Sequence, residues 1–558
     1  MSGTGVGFPP AWSWGLLLVG CGQCRITVPD TDPPVDSDSV VDTAPVDTGD
    51  SAPSHVDADG DGYTDYYDCD DGDPEIHPAA EELCDDVDND CDGSIDEGRA
   101  CSLAIELAPS DAYATFFGAA PGDQAGEHMA GVGDVDGDGY HDLLLPSFAN
   151  DSAGEDAGAA YLFLGPVSGD HILDTAYAWF LGEAAGDQAG RTVGSAGDQN
   201  DDGYPDLLIG APAADNSAPS AGTIYVVYGP HDEGEHSLAD ADGRIFGQSE
   251  GDWLGDAELL GDMNHDGFDD LIVASQYDKT VGEDAGVAYV VLGPVSGDQT
   301  LSDHSVRITG AESGDQAGST ACAAGDVNGD GFPDLLVGAR FSDVGGRDSG
   351  AVYLLYGPVT DSISLADADF TIQGDGPDSL LGAGWSVSSA ADHDGDGRGD
   401  FLVGARGDDN GVGPNAGAAW LILAGDLRDL DYLAEASASF YGEAVGDLAG
   451  TSVSGVSDMD GDDRPEVAIG ASLGQGADSP NTGAAYVFYG LALGSFSLSD
   501  ADLIMRGGAT DDMAGWSIEN AGDVAGDGSG FLLMGALASD TLGLDAGAIY
   551  LFAAPEEE

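Results

Sequence analysis

One acidic loop recurs seven times along the last four-fifths of this chain. It begins at Asp134 (DVDGDGYHD), Asp198 (DQNDDGYPD), Asp262 (DMNHDGFDD), Asp326 (DVNGDGFPD), Asp392 (DHDGDGRGD), Asp458 (DMDGDDRPE) and Asp523 (DVAGDGSGF). The intervals are 64, 64, 64, 66, 66 and 65 residues. A period this regular makes each unit a supersecondary element that buries its apolar face only against its neighbours.

Each period reads alike. A GDxAG segment (Gly122–Gly126, Gly186–Gly190, Gly314–Gly318, Gly446–Gly450) leads through a short strand into the acidic loop. An apolar strand follows, such as Asp206–Ala211 or Asp334–Ala339, then a polar loop, a third strand such as Ala351–Tyr356, and a fourth ending in Gly, such as Phe370–Gly374. Four short strands between Gly and Asp turns are the pattern of a propeller blade. Gly and Asp recur too often for helix, and no apolar run keeps a 3.6-residue period. The last repeat stops after its third strand, Ala548–Phe552, while Asp111–Gly118 (DAYATFFG) matches the fourth-strand segment Asp174–Gly182. Residues 111–118 are therefore expected to complete the final blade and latch the ring shut. The fold class expected is all-β, a seven-bladed β-propeller of four-stranded blades over 102–558, preceded by a small calcium-binding loop domain.

The loop spacing Asp-x-Asp/Asn-x-Asp-Gly-x-x-Asp brings oxygen ligands at positions 1, 3, 5 and 9 towards one point. Several anionic oxygens and no nitrogen or sulfur suit calcium better than a transition metal. The expected ligands are Asp134, Asp136, Asp138 and Asp142; Asp198, Asn200, Asp202 and Asp206; Asp262, Asn264, Asp266 and Asp270; Asp326, Asn328, Asp330 and Asp334; Asp392, Asp394, Asp396 and Asp400. The sixth loop has Asp458, Asp460, Asp462 and Glu466, but Asp463 replaces the turn Gly, so a weaker site is expected. The seventh has Ala525 and Phe531 at positions 3 and 9; it is expected to bind no metal, with Phe531 in the core. Asx-turns without metal are the competing reading.

Acidic residues number 105 against 13 Lys and Arg, a formal net charge of -92. Such a field repels nucleic acid and anionic lipid. Residues 1–21 end in Leu18-Val19-Gly20-Cys21 and resemble a bacterial lipoprotein signal with Cys21 lipidated, although no Lys or Arg precedes the apolar run. Residues 22–54 read as an extended acidic Pro/Thr/Ser tether. Residues 55–101 form a Cys-containing acidic unit with two further loops: Asp57, Asp59, Asp61, Asp65 and Asp68, then Asp88, Asp90, Asp92 and Asp96. These resemble the calcium repeats of thrombospondin type 3 and bacterial DxDxDG modules. Cys69, Cys84, Cys91 and Cys101 are expected to form disulfides in an oxidising compartment, with the pairing left open.

Acidic loops followed by strands ending in Gly-Ala give the large domain a family likeness. Phe117-Gly118, Phe246-Gly247 and Tyr441-Gly442, with Gly210-Ala211-Pro212, Gly338-Ala339 and Gly404-Ala405, resemble the FG-GAP repeat of the integrin alpha-chain propeller. The resemblance covers about residues 103–554. It implies a seven-bladed ring with calcium in its loops and a role in adhesion or ligand binding outside the cell. A related propeller accompanies the catalytic domain of a phospholipase, and no such domain is recognised in this chain.

No HExxH or phosphate-binding GxxxxGK[ST] occurs, and Gly247–Gly251 (GQSEG) leads into no helix, so Ser249 is not expected to be a nucleophile. The Arg-Gly-Asp triplets at 398–400 and 406–408 fall on repeat positions rather than forming a separate motif. The function expected is a non-enzymatic, calcium-stabilised binding or adhesion protein, a monomer displayed on a bacterial surface, whose partner is a protein or glycan. A membrane is reached only through the lipid anchor. The alternatives are a secreted or periplasmic enzyme with its site in the propeller channel, and a structural envelope component. Discrimination lies in whether variable loops such as Ala213–Ser220 and Arg406–Asn415 gather on one face, or whether a His or a carboxylate outside the acidic loops converges on a closed pocket.

Overall fold

A computed structural model describes residues 104–555, except 375, 383–385, 410–411, 430–432, 463 and 475–480, together with Tyr63, Cys69, Ile76, His77 and Cys91. The signal segment, the tether and nearly all of the 55–101 unit lie outside the described residues. Cys69 and Cys91 are disulfide-bonded, with Cα atoms 5.6 Å apart.

Seven sheets, each built on four antiparallel strands, form the blades. Their first strands are Ala130–Gly133, Thr192–Gly197, Asp256–Gly261, Ala317–Gly325, Val387–Ala391, Ala449–Val456 and Ala514–Gly522. Each lies against the next, and the seventh returns to the first, so the ring is closed. Second strands, from Asp142–Ser147 to Phe531–Ala536, are buried along their whole length. Both faces of a blade are covered by neighbours, which is why these strands read as continuous apolar runs rather than alternating ones.

The hydrophobic core lies between blades. Phe401 and Trp420 of blade five join Leu336 and Val352 of blade four in one cluster. Phe440 of blade five and Phe488 of blade six join another, with ring centroids 4.7 Å apart. Fully burying one such ring contributes roughly 1.5–3 kcal/mol. Blades approach so closely that a Cβ on Gly210 would overlap the carbonyl of Gly255 in the next blade. This accounts for the Gly-Ala ending of the second strands.

The latch forms as expected. Ala114–Phe117 pairs antiparallel with Ala548–Ala553, supplying the fourth strand of blade seven. The blades differ from the four-stranded expectation in six of seven cases. The chain between the third and fourth strands of one blade makes a short extra strand that pairs parallel with the outer strand of the preceding blade. Gly234–Ser237 of repeat two pairs with Ala178–Leu181 of blade one in this way. At the start of the ring, Ile105–Leu107 does the same for Leu503–Arg506 of blade six. Blade four keeps four strands, because the matching segment forms a 3₁₀ helix at Ala424–Asp429. These extra strands are mostly exposed and only two to four residues long, so they carry little apolar signal for sequence reading.

Candidate functional site

All seven acidic loops join the first strand of a blade to its second. Position 1 builds the turn. Asp134 Oδ1 accepts from the N–H groups of Gly137 (2.7 Å) and Asp138 (2.9 Å), and Oδ2 from Gly139 (2.8 Å). Asp198, Asp262, Asp326 and Asp392 likewise accept from Gly203, Gly267, Gly331 and Gly397. Asp458 accepts from Gly461 at 2.6 Å. The seventh loop keeps the turn through Asp523 and Gly528 (2.9 Å) although its third and ninth ligands are missing. The turn is thus a hydrogen-bonded Asx structure that stands by itself; metal affinity depends on what positions 3 and 9 add.

Position 9 has a second task that spacing alone does not reveal. The Asp142 carboxylate accepts from Val135 N–H (2.8 Å) in its own loop and from Gly165 N–H (2.7 Å) beyond the third strand. Asp206, Asp270, Asp334 and Asp400 clamp the same two segments in their blades. All five are fully buried. Burial is the main cause that raises their pKa values, to about 7 for Asp142 and Asp206 and about 6 for the other three; backbone N–H donors pull the other way. Glu466 is pushed to about 9, first by burial and then by Asp460, Asp458 and Asp462.

Three loops draw carboxylates together with ligand atoms within 4.8 Å of one another: Asp134, Asp136 and Asp142; Asp392, Asp394 and Asp400; and Asp458, Asp460, Asp462 and Glu466. The sixth loop, expected to be the weaker, gathers all four of its expected ligands. Glu466 is one methylene longer than Asp; one of its oxygens accepts from Met459 N–H (2.9 Å), and Oε1 has no hydrogen-bond partner. Position 5 stands apart in the first and fifth loops, where Asp138 and Asp396 are exposed and accept from Tyr140 and Arg398 N–H. Asn200, Asn264 and Asn328 replace an acid at position 3 of the second, third and fourth loops, alongside Asp202, Asp266 and Asp330. Asn264 Oδ1, Asn328 Oδ1 and Asp392 Oδ1 are buried without partners, as oxygens meant for a cation would be. The loops therefore fit a divalent cation, held by oxygen. Phe531 is 2% exposed and packs at 5.0 Å from the Tyr113 ring, as expected for the seventh loop. The loops of the 55–101 unit, with Asp57, Asp59, Asp61, Asp65, Asp68, Asp88, Asp90, Asp92 and Asp96, and Cys21, lie outside the described residues.

The centre of the ring holds groups that sequence reasoning passed over. A cavity of about 290 Å³ is lined by all seven first strands and includes Asp256, Glu258, Glu519, His128 and Cys322. Burial raises Asp256 to about 7 and Glu519 to about 8, and lifts Glu258 well above the usual range, with Glu519 and Asp256 adding to the last. Burial lowers His128 to about 4 and raises the Cys322 thiol. The signal available was DAELLG at 256–261, a first strand with acids two residues apart; at these two positions the other repeats carry Ser, Thr, Ala, Gly or Cys, apart from His128 in the first repeat and Glu519 in the seventh.

The two ends of the ring differ. Acidic loops lie beside the connections after the third strands, as the Asp142–Gly165 clamp shows. At the opposite end, the loop after each second strand meets the segment leading into the next blade, through bridges such as Gly158–Ala189, Gly222–Leu254 and Gly417–Ala449. The variable loops at 213–220 and 406–415 both belong to this second face.

Comparison with known proteins accords with this geometry. Residues 189–227, 254–291, 317–355 and 449–488 match the FG-GAP repeat. Residues 68–97 match the Cu-binding MopE metal-binding motif, a metal-binding description named for copper rather than calcium. Phosphatidylinositol-glycan-specific phospholipase D of Bos taurus is 34% identical over 172 residues, covering 29% of this chain and 20% of that protein. Integrin alpha-IIb of Homo sapiens is 32% identical over 181 residues, covering 31% and 16%. The chain thus spans about a fifth or less of the length of these two relatives. A crystal structure of BBS1N in complex with ARL6DN aligns with a TM-score of 0.41 at 11% identity, covering 76% of this chain and 90% of that one. The relatives matched by organism come from cow, human, rat, worm, mouse, fly and frog. That pattern overturns the bacterial surface-lipoprotein location expected from the first 21 residues. Repeats, ring and relatives together make this chain an FG-GAP-repeat, integrin-alpha-like seven-bladed β-propeller.

Proposed function

We propose that this protein is an extracytoplasmic, non-enzymatic binding or adhesion module. Its ring is stiffened by calcium at one end and engages a protein or glycan at the other. The observation that carries the reading is the separation of the two ends: acidic loops on one, variable loops on the other. Calcium is favoured because the donors are carboxylate and amide oxygens, hard ligands in flexible loops.

A second reading, an enzyme working in the central channel, draws on the convergence of Asp256, Glu258, Glu519, His128 and Cys322. The states of these groups argue against it. The thiol is held protonated and so is a poor nucleophile. The imidazole is neutral, and its Nδ1 accepts from Val193 N–H (3.4 Å).

The test is adhesion of cells and binding to a glycan array by the immobilised protein, with and without calcium. Shortening the 213–220 and 406–415 loops should abolish binding while leaving calcium-dependent melting intact. Binding that survives both deletions, or is lost only on substitution in the channel, would reject this reading.

A further inference from the structure

Nine arginine side chains are described in this chain of net charge -92: four pair with an acid, and Arg307, Arg340, Arg398, Arg406 and Arg464 form no ion pair among the described residues. Arg398 and Arg464 lie in acidic loops, whereas Arg340 and Arg406 lie at the opposite end of the ring. Arg191 pairs with Glu127 (2.8 Å), Arg244 with Asp298 (2.7 Å), Arg506 with Glu106 (2.8 Å) and Arg347 with Asp378. Arg340 and Arg406 directly follow the second strands Asp334–Ala339 and Asp400–Ala405 of blades four and five. They therefore hold the same repeat position in neighbouring blades, on the face with the variable loops.

We infer that Arg340 and Arg406 together form an anion site that takes a carboxylate from a ligand. Arg340 is already oriented: its Nε donates to Gln316 Oε1 (2.8 Å), and its guanidinium lies 5.0 Å from the Phe341 ring centroid. This leaves its terminal nitrogens for a planar oxyanion. Arg406 has Leu380 at the repeat position of Gln316, so no side-chain amide is offered there. Both arginines are partly buried. Burial first, and the charge of Arg340 second, press the Arg406 guanidinium below its ordinary pKa. Two partly desolvated like charges side by side are costly until an anion joins them. The protein's own field penalises every additional negative charge on a ligand, so a monoanionic carboxylate fits better than a phosphate dianion or a sulfated chain.

The inference rests on reading the variable-loop end as the ligand face, and its test is independent of adhesion. The calcium-loaded full chain is labelled with phenylglyoxal, and adduct formation at each arginine is followed by peptide mass mapping. Acetate at constant ionic strength should slow labelling of Arg340 and Arg406 several-fold and leave Arg307 and Arg398 unchanged. Arg406→Gln should abolish the protection at Arg340 without altering calcium-dependent melting. N-acetylglycine protecting better than glucuronate, both monoanions, would point to a peptide source for the carboxylate, and the reverse to a sugar acid. Equal slowing of all four arginines would mean charge screening only, and stronger protection by sulfate than by acetate would mean a dianion site; either result overturns the inference. Loss of adhesion with the protection intact would reject the functional reading but not the anion site.

Discussion

Phe116 sits opposite Ile549 in the antiparallel ladder of blade seven, and its ring lies 4.8 Å from Phe163 of blade one. One side chain near the start of the ring thus joins the last strand of the chain to the first blade. Phe116 is fully buried, so Phe116→Ala removes core volume at the closure itself. The expected cost is about 3–5 kcal/mol, within the range for Phe-to-Ala cavities. Denaturant unfolding checks this; Tyr113→Ala, at a partly exposed neighbour, should cost clearly less.

The sixth and seventh loops should part company in calcium titrations. Asp460→Asn with Asp462→Asn should remove one equivalent of bound calcium. Asp523→Asn should remove none, yet still lower stability, because Asp523 holds the turn by hydrogen bonds. Each filled site at about one hundred times its Kd adds about 2.7 kcal/mol. Calorimetric titration of calcium, with melting in chelator as the baseline, measures both effects. Equal stoichiometry in the two variants would contradict this ranking of the loops.

Stability should depend on pH through the channel acids, and the sign is fixed. Asp256 and Glu519 have folded pKa values of about 7 and about 8, above their ordinary values of 3.8 and 4.5. In that interval the folded state binds more protons than the unfolded chain. Their contribution is therefore intact below about pH 4 and is lost as pH rises through about 8. Glu519→Gln should match the parent near about pH 4 and melt at higher temperature than the parent near about pH 9. A melting difference that stays constant across the range would show that Glu519 is ionised in the folded channel.

Cys322 is 4% exposed, and burial raises its thiol pKa, with Glu258, Asp256 and Glu519 adding to the shift. It should resist iodoacetamide in the native ring and react fully in denaturant. Mass spectrometry of the alkylated protein decides the point. Rapid native labelling would mean that the channel opens to reagent.

Much of this structure was legible because repetition multiplies weak signals. Seven Asp-rich loops at a near-constant interval fixed blade number, and the surplus segment 111–118 fixed the closure. Phe531 revealed the degenerate loop because an aromatic cannot replace a ligand but can fill a core. What escaped notice lacked either periodicity or apolar character. Gly234–Ser237 and its equivalents are short, exposed strands whose pairing partners lie in another repeat. The backbone clamp made by Asp142 was hidden because the same carboxylate satisfied the metal pattern. Asp256 and Glu258 were lost in a chain where acids are everywhere; only their place on an inner strand sets them apart.

The extra strand added to six of the seven blades from the repeat that follows puts the unit of sequence out of step with the unit of architecture. Copying one period would deliver strands to more than one blade, so no single duplication adds a finished part. Gain or loss of a blade requires its neighbours to exchange partners as well. The same arrangement leaves no blade free to detach: opening one exposes an edge belonging to another. Unfolding should therefore spread around the circle as a single event, and fragments cut at blade boundaries should be poor substitutes for the whole.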